Sequence, residues 1–205
     1  MNFEKEYENL KGKVRSRKED FNRFISFLEN ETSWLTSPAS CKYHLCEEGG
    51  LLKHSVGVAL TLLEFRKTFA PIISEESCVI VGLFHDVGKI GMPQKPRYLK
   101  NCNTESKSNY VINPQVTEMG LAVRSLYLIS KYIPLSDSEA QAITYHDGQY
   151  IAENKCVAHK EEPLTLLVHW ADYWTAHIYE ENRILKDDNS YFYANKLLSK
   201  DLRQI

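Results

Sequence analysis

A histidine and an aspartate follow directly after the most apolar segment of the chain. Residues 78–84 read CVIVGLF, and His85 and Asp86 come next. A helix that is apolar on every side is buried on every side, so the Asp86 carboxylate would lose much of its solvation energy unless a positive group lay beside it. Lys89, three residues on, is one candidate for that group. A divalent cation is another, because imidazole and carboxylate are ligands suited to transition metals.

Two further polar residues interrupt apolar helix faces elsewhere in the chain. His54 has Leu51 and Val58 as neighbours on one helix face, and Asp172 lies within LLVHWADYWTA. A single histidine on an apolar helix face, such as His54, is more often a hydrogen-bonded core residue than a metal ligand. Asp172 on its own fits a hydrogen bond to a neighbouring Tyr or Trp, or a buried salt bridge, as well as it fits a ligand.

Taken together, these residues resemble the motifs of the HD-domain metal-dependent phosphohydrolases. The matching segments are GGLLKHSVGVA with His54, GLFHDVGKIG with His85, Asp86 and Lys89, AITYHDG with His146, and LLVHWADYWTA with Asp172. The resemblance implies an all-α fold, an HD-domain-like helical array around a central metal site. It also implies that the metal ligands are His54, His85, Asp86 and Asp172.

The resemblance implies hydrolysis of a phosphomonoester or phosphodiester, with a nucleotide or a related small phosphorylated molecule as substrate. Asp86 and Lys89 are the expected catalytic residues: Asp86 helps to bind the ion that activates water, and Lys89 neutralises a phosphate oxygen. A structural salt bridge to Asp86 is the alternative for Lys89. The expected substrate contacts are Lys89, Arg97 and His146. His146 could instead be a surface histidine at a helix end, and Arg97 a solvated loop residue.

The expected cofactor is one divalent transition-metal ion, and the ligand types do not choose among Mn, Ni, Co, Fe and Zn. Two-metal members of the superfamily carry further histidines on the helices after the HD segment, whereas residues 117–133 contain none. Only His146 remains as an extra ligand, so a di-iron oxygenase is not expected. The alternative function is a non-catalytic module that senses a nucleotide or docks a partner. The complete set of ligand types argues against it.

Apolar periodicity predicts the elements that must position these residues. Helices are predicted over 51–69, 74–84, 117–133, 136–146 and 163–178, with a helical segment over 3–28 and an amphipathic one near 190–202. A capping box, Ser136 with Glu139, marks the start of the helix that ends at His146. Residues 91–116 contain three prolines and are predicted to form a long loop.

The bulk composition narrows the class of protein. The chain has 205 residues, 43% of them hydrophobic, which predicts one globular domain over 1–205 with a motif-bearing core at 49–178.

A net charge of -2 gives no signal for nucleic-acid binding. We expect no membrane span, and the charged N-terminus and five scattered cysteines fit a cytoplasmic protein. Zinc binding by Cys41, His44 and Cys46 is not favoured, because their spacing matches no common knuckle. The sequence does not decide whether the chain forms a homodimer.

Overall fold

The computed structural model describes residues 2–41, 45–102 and 108–180, which are mostly helical, as predicted for an all-α protein. The helices are α1 (Phe3–Lys11), α2 (Lys18–Glu31), α3 (Gly50–Phe69), α4 (Glu75–Phe84), α5 (Leu121–Ser130), α6 (Asp137–Tyr145) and α7 (Pro163–Trp174). Short 3-10 turns cover Val87–Ile90, Gly148–Tyr150 and Ala152–Val157, and a π-helical turn, Thr175–Glu180, follows α7. None of the described helices combines the length and the apolar character that crossing a lipid bilayer requires.

The apolar core lies around α4, as its sequence predicts. Every residue from Cys78 to Phe84 is buried. The apolar stripe of α2 packs against the end of α4, where the rings of Phe24 and Phe84 meet edge to face with their centroids 4.9 Å apart. Burial of each such ring stabilises the fold by about 1.5–3 kcal/mol. The last turn of α4, and with it His85, is therefore held firmly in the interior.

Helices α3 and α4 pack unusually closely, and this contact sets the spacing of two candidate ligands. A Cβ atom on Gly82 would lie 2.5 Å from the Cα atom of Ala59, so only glycine allows the two backbones to approach this far. His54 lies five residues before Ala59, and His85 lies three residues after Gly82. The centroids of the two imidazole rings are consequently 5.5 Å apart.

The predicted helical segment over 3–28 is wrong as a single element, because the chain turns between α1 and α2. Glu76, on α4, accepts hydrogen bonds from the backbone N–H groups of Arg15 and Ser16, both at 2.7 Å. The turn is thus stabilised by a carboxylate that is 60 residues away in the sequence. No local pattern in residues 12–17 reveals it.

Two other regions differ from the periodicity prediction. The helix predicted over 117–133 is limited to α5, because Gly120 is extended at its start and Pro134 disfavours helical geometry in the residue before it. The predicted loop 91–116 contains two small antiparallel strand pairs, β1 (Gly91–Met92) with β2 (Lys95–Pro96) and β3 (Tyr98–Lys100) with β4 (Tyr110–Ile112). Strands of two or three residues are too short to show alternation. The helix predicted near 190–202 lies outside the described residues.

A buried ion network ties α6 to the turn between α1 and α2. The guanidinium of Arg17 donates to both carboxylate oxygens of Glu139, at 2.6 and 2.7 Å, and to Glu76 at 2.8 Å. Glu139 also completes the predicted capping box with Ser136 at the start of α6. Burial alone would raise the pKa of Glu139, but the hydrogen bonds from Arg17 and from the Ser136 N–H lower it.

We expect Arg17→Met to lower the free energy of unfolding at pH 7 by about 3 kcal/mol, because Glu139 would stay buried and charged without its partner. A carboxylate with a lowered pKa stabilises the fold above its unfolded pKa, and that contribution disappears as the pH falls through the folded pKa. The stability difference between variant and wild type should therefore shrink below pH 4.5, the usual value for this group. Urea titrations at several pH values measure this difference.

The matched control is Arg23→Met, which removes an exposed arginine that pairs with Asp20 on the surface of α2. It should have a much smaller effect, because exposed ion pairs contribute little. Equal losses of stability in the two variants would show that the Arg17 network does not hold α6 in place.

Candidate metal centre

Five side chains from four segments of the chain meet between α3, α4, α6 and α7. The Nε2 atom of His54 lies 3.1 Å from Asp172 Oδ1 and 3.7 Å from Asp86 Oδ2. The Nε2 atom of His85 lies 3.7 Å from Asp86 Oδ2 and 3.9 Å from Asp172 Oδ1. His146, at the end of α6, has its Nε2 atom 3.6 Å from Asp86 Oδ1. The four predicted ligands lie together, and His146 joins them.

Two of the imidazoles are oriented by the ends of their own helices. The Nδ1 atom of His85 is 2.9 Å from the carbonyl oxygen of Gly82, and that of His146 is 2.8 Å from the carbonyl oxygen of Ile143. A carbonyl oxygen only accepts hydrogen bonds, so Nδ1 carries the proton in each ring. In the neutral ring, Nε2 keeps its lone pair and faces the cluster. Metal-binding histidines are usually held in this way through their other nitrogen.

The third imidazole is oriented by a carboxylate. The Nδ1 atom of His54 lies 2.9 Å from Glu180 Oε1, so its N–H donates to Glu180 while Nε2 faces Asp172. A carboxylate on the outer nitrogen of a metal-binding histidine fixes the ring and increases its basicity. Glu180 therefore occupies the position of an outer support for His54.

The π-helical turn after α7 brings Glu180 to this position. An α-helix rotates by about 100° per residue, so eight residues would leave Glu180 about 80° away from Asp172 around the helix axis. A π-helical turn includes one more residue per turn, which reduces the rotation per residue. Asp172 and Glu180 consequently contact the same histidine from one helix.

The end of α6 is held against α7 by a second contact. The Nδ1 atom of His169 lies 2.7 Å from the carbonyl oxygen of His146. Gly148, two residues further on, has a φ of +64°, and a Cβ atom there would lie 2.6 Å from the His169 ring. A glycine is thus required both by the backbone conformation and by the closeness of α7.

This set of donors fits a divalent transition-metal ion. Two ligands bound to one ion at about 2.1 Å lie about 3 Å apart at a right angle and about 4 Å apart across the ion. The nitrogen–oxygen separations given above lie within that range. Moreover, the Nε2 atom of His85 is buried and has no hydrogen-bond partner among the described residues, a costly state unless a ligand binds there. The donors form two overlapping groups that share this residue, His54–His85–Asp172 and His85–Asp86–His146.

The three imidazoles differ in charge. Burial is the largest influence on His85 and lowers its pKa to about 4, so the ring is neutral at pH 7. Burial also opposes the charge on His54, but hydrogen bonds to Asp172 and Glu180 outweigh it and raise the pKa of His54 to about 10. In the same way, the hydrogen bond to Asp86 outweighs burial and raises the pKa of His146 to about 9. An ion that binds all three rings must displace protons from two of them.

Both aspartates are ionised, and Lys89 is the partner of one. Burial would raise the pKa of Asp86, but the charge of Lys89 and the hydrogen bond with His146 hold it well below its usual value. For Asp172, the hydrogen bond and charge of His54 likewise outweigh burial and lower the pKa. Lys89 Nζ lies 2.5 Å from Asp86 Oδ2. The salt bridge to Asp86, which the sequence left open as an alternative role for Lys89, is thus present.

A cavity of about 550 Å³ opens onto the cluster and is large enough for a small-molecule ligand. His54, Asp86, Asp172 and Lys89 all line it, together with Leu121 at the start of α5. The side chain of Asp172 is 22% exposed, against 6% for Asp86. Of these two aspartates, Asp172 is therefore the more accessible from the cavity.

The other predicted substrate contacts have different surroundings. His146 is buried beside Asp86, so the alternative of a surface histidine at a helix end is wrong. Arg97 does not belong to the lining of this cavity; its guanidinium lies beside the ring of Tyr98, 5.9 Å from the centroid. A contact between Arg97 and a substrate stays a prediction without support from this geometry. His44 lies outside the described residues.

Sequence reasoning missed Glu180 entirely and underrated His146 as a donor. Glu180 lies two residues beyond the end of the helix predicted over 163–178, so the predicted pattern did not include it. The signal for His146 was present, since AITYHDG places a histidine directly after an apolar turn, just as GLFHDVG does for His85. The parallel between these two helix ends was the available clue.

We expect Glu180→Ala to weaken the binding of Mn²⁺ by about 10- to 100-fold, the usual effect of removing the outer partner of a metal-binding histidine. Glu180→Gln should recover part of the affinity, because its amide oxygen can still accept the N–H of His54 without carrying charge. Glu19→Gln, which changes an exposed acid on α2, is the control and should bind normally. Isothermal titration calorimetry gives the three constants, and an unchanged value for Glu180→Ala would remove its assigned role.

Comparison of the chain with protein-family models, with curated proteins and with solved structures gave no match.

Proposed function

We propose that this protein is a metal-dependent phosphohydrolase of the HD type, acting on a phosphomonoester or phosphodiester of a small molecule such as a nucleotide. One observation carries the proposal. Three buried histidines have their Nδ1 atoms engaged by outer acceptors and their Nε2 atoms turned towards two ionised aspartates, beside a cavity that also contains a lysine. Imidazole and carboxylate donors of this kind suit a divalent ion that serves hydrolysis.

In this proposal His54, His85, Asp86 and Asp172 hold one divalent transition-metal ion, with His146 as an additional donor or a substrate contact. Such an ion, when bound, supplies a Lewis acid that makes water a stronger nucleophile near neutral pH. Asp172, the more exposed of these two aspartates, would orient the attacking water. In the reaction the water oxygen bonds to phosphorus, the ester P–O bond breaks, and the leaving alcohol takes a proton.

Two positive features support a phosphate at the cavity. Lys89 lines it and pairs with Asp86, and the charge of Lys89 could be shared with a phosphate oxygen of the substrate. Leu121, the first residue of α5, also lines the cavity, and no side chain caps the N-terminus of this helix. The partial positive charge of that helix end favours an anion. A bound divalent ion would offset the negative charges of Asp86, Asp147 and Asp172 in the lining, and Lys89 and the helix end would then favour a phosphoester.

The proposal is tested in two steps. Protein purified without chelator should contain about one transition-metal ion per chain by elemental analysis. A panel of phosphomonoesters and phosphodiesters with added Mn²⁺, Ni²⁺ or Co²⁺ should then reveal turnover that EDTA abolishes. Metal binding without turnover across the panel would overturn the enzymatic proposal in favour of a sensor or docking module. Turnover that is insensitive to chelation would overturn the metal-dependent mechanism.

A further inference from the structure

Two tyrosine rings with large exposed areas line the same cavity as the candidate metal ligands. Tyr150 is 76% exposed and Tyr173 is 48% exposed. Their rings are nearly parallel, with an angle of 5° between the planes and 6.2 Å between the centroids. Both belong to the lining of the cavity that reaches Asp86 and Asp172. The cavity therefore has an ionic end and an aromatic end.

The chain fixes both rings close to the metal centre. Tyr173 follows Asp172 directly, and Tyr150 follows His146 by four residues, at the end of the 3-10 turn that starts at Gly148. The contact of His169 with the backbone of His146 holds these two segments together. The rings consequently have a defined position relative to the ion site, although they are themselves open to solvent.

These rings differ from that of Tyr127, another exposed tyrosine among the described residues. Tyr127, on α5, is 42% exposed, but it stands outside the cavity and has Lys131 over its ring, 3.8 Å from the centroid. Tyr150 and Tyr173 are nearly parallel in the lining of the cavity, where the ring of Tyr173 also contacts that of His177, 4.4 Å between centroids. Flat aromatic faces bind nucleic-acid bases by stacking, with little dependence on which base is present.

We propose that Tyr150 and Tyr173 form a stacking subsite for the aromatic base of a nucleotide, whose phosphate lies at the metal centre and Lys89. This inference rests on the proposed phosphohydrolase function and names its substrate class. A simple sugar phosphate lacks the group that the subsite recognises, so the two tyrosines discriminate nucleotides from other phosphoesters. The hydroxyl groups are not needed for stacking, whereas the rings are.

The test compares two substrates that differ only in the base. Adenosine 5′-monophosphate and ribose 5-phosphate carry the same phosphate ester on the same sugar carbon. With the manganese-loaded protein, we expect kcat/KM to favour the nucleotide by about tenfold or more. Tyr150→Ala and Tyr173→Ala should each lower this ratio by about tenfold, whereas Tyr150→Phe and Tyr173→Phe should keep it. Tyr127→Ala, outside the cavity, should leave the ratio unchanged.

A second measurement separates the subsite from the chemistry. Adenosine and ribose carry no phosphoester, so calorimetric titration of the manganese-loaded protein with each compares base binding without turnover. Tighter binding of adenosine that the alanine variants abolish would support the subsite even if no phosphoester were hydrolysed, in which case the proposed function alone would fail. Equal kcat/KM for the two phosphates together with equal binding of adenosine and ribose would overturn the subsite. That outcome would leave the hydrolase proposal intact.

Discussion

Replacement of Asp86 by asparagine is expected to lower the rate of phosphoester hydrolysis by more than about a thousandfold. Asp86 is the central donor of the cluster, because its two oxygens lie within 3.6–3.7 Å of the Nε2 atoms of all three histidines. Asparagine keeps the shape of the side chain but removes the negative charge that the ion and Lys89 both require. The measurement is kcat/KM on the best substrate of the panel, together with the metal content of the variant.

Two further variants make this result interpretable. Asp86→Asn leaves the largely buried Lys89 without its partner, so part of the loss could come from a destabilised fold. The double variant Asp86→Asn/Lys89→Met removes both charges and should recover stability in urea titrations but not activity. Asp137→Asn changes an exposed aspartate in the first turn of α6 and should remain fully active. Activity of Asp86→Asn within tenfold of the wild type would contradict the assigned role.

The affinity for the metal ion should rise steeply with pH. The pKa values of His54 and His146 are raised to about 10 and about 9 in the metal-free protein, so both rings carry an extra proton at pH 7, whereas the lowered pKa of His85 leaves it neutral. An ion that binds all three rings therefore releases about two protons. Its dissociation constant should fall by about a hundredfold for each unit of pH below these pKa values, and more gradually above pH 9.

Calorimetric titrations with Mn²⁺ in buffers of different ionisation enthalpy count these protons. Release of two protons would indicate that both His54 and His146 bind the ion. Release of one proton would indicate that His146 does not bind the ion and is instead a substrate contact. His146→Gln is the decisive variant, since it should reduce a release of two protons to one. Absence of proton release at pH 7 would contradict the charges assigned to both histidines.

The same shifts predict the direction in which pH changes the stability of the metal-free protein. A histidine whose pKa is raised on folding stabilises the fold fully below its unfolded pKa of 6.5, and this contribution is lost as the pH rises through the folded value. The free energy of unfolding of the metal-free protein should thus fall as the pH rises from 6.5 to 10, because His54 and His146 lose their stabilising protons over this range. Bound metal should remove most of this dependence, because it takes the place of the protons.

The sequence alone predicted the helices that carry the site and which face of each is buried. His54 and Asp172 interrupt apolar stripes of regular period, and the segment before His85 is apolar all round, so the burial of these residues followed from local pattern. Their meeting around one point did not follow from periodicity. It was expected only from the resemblance to HD-domain motifs, which fixed the order and the types of the four ligands.

The features that the sequence did not predict depend on contacts between distant segments. The turn between α1 and α2 is stabilised by Glu76, and Glu180 reaches His54 only because the helix changes from α to π geometry after Trp174. The burial of His146 similarly depends on α7, where His169 contacts its backbone. Such long-range contacts leave no trace in a window of a few residues, so Glu180 could not be predicted. The donor set exceeds the predicted one because the local clue to His146, a histidine directly after an apolar turn, was underrated.

Anomalous X-ray diffraction from crystals grown with Mn²⁺ tests the convergence of these side chains most directly. The account predicts an anomalous peak about 2.0–2.4 Å from His54 Nε2, His85 Nε2 and an oxygen atom each of Asp86 and Asp172. If the protein binds Mn²⁺ in solution and yet the peak lies beyond bonding distance of these atoms, the ion is held elsewhere and the metal centre described here is wrong.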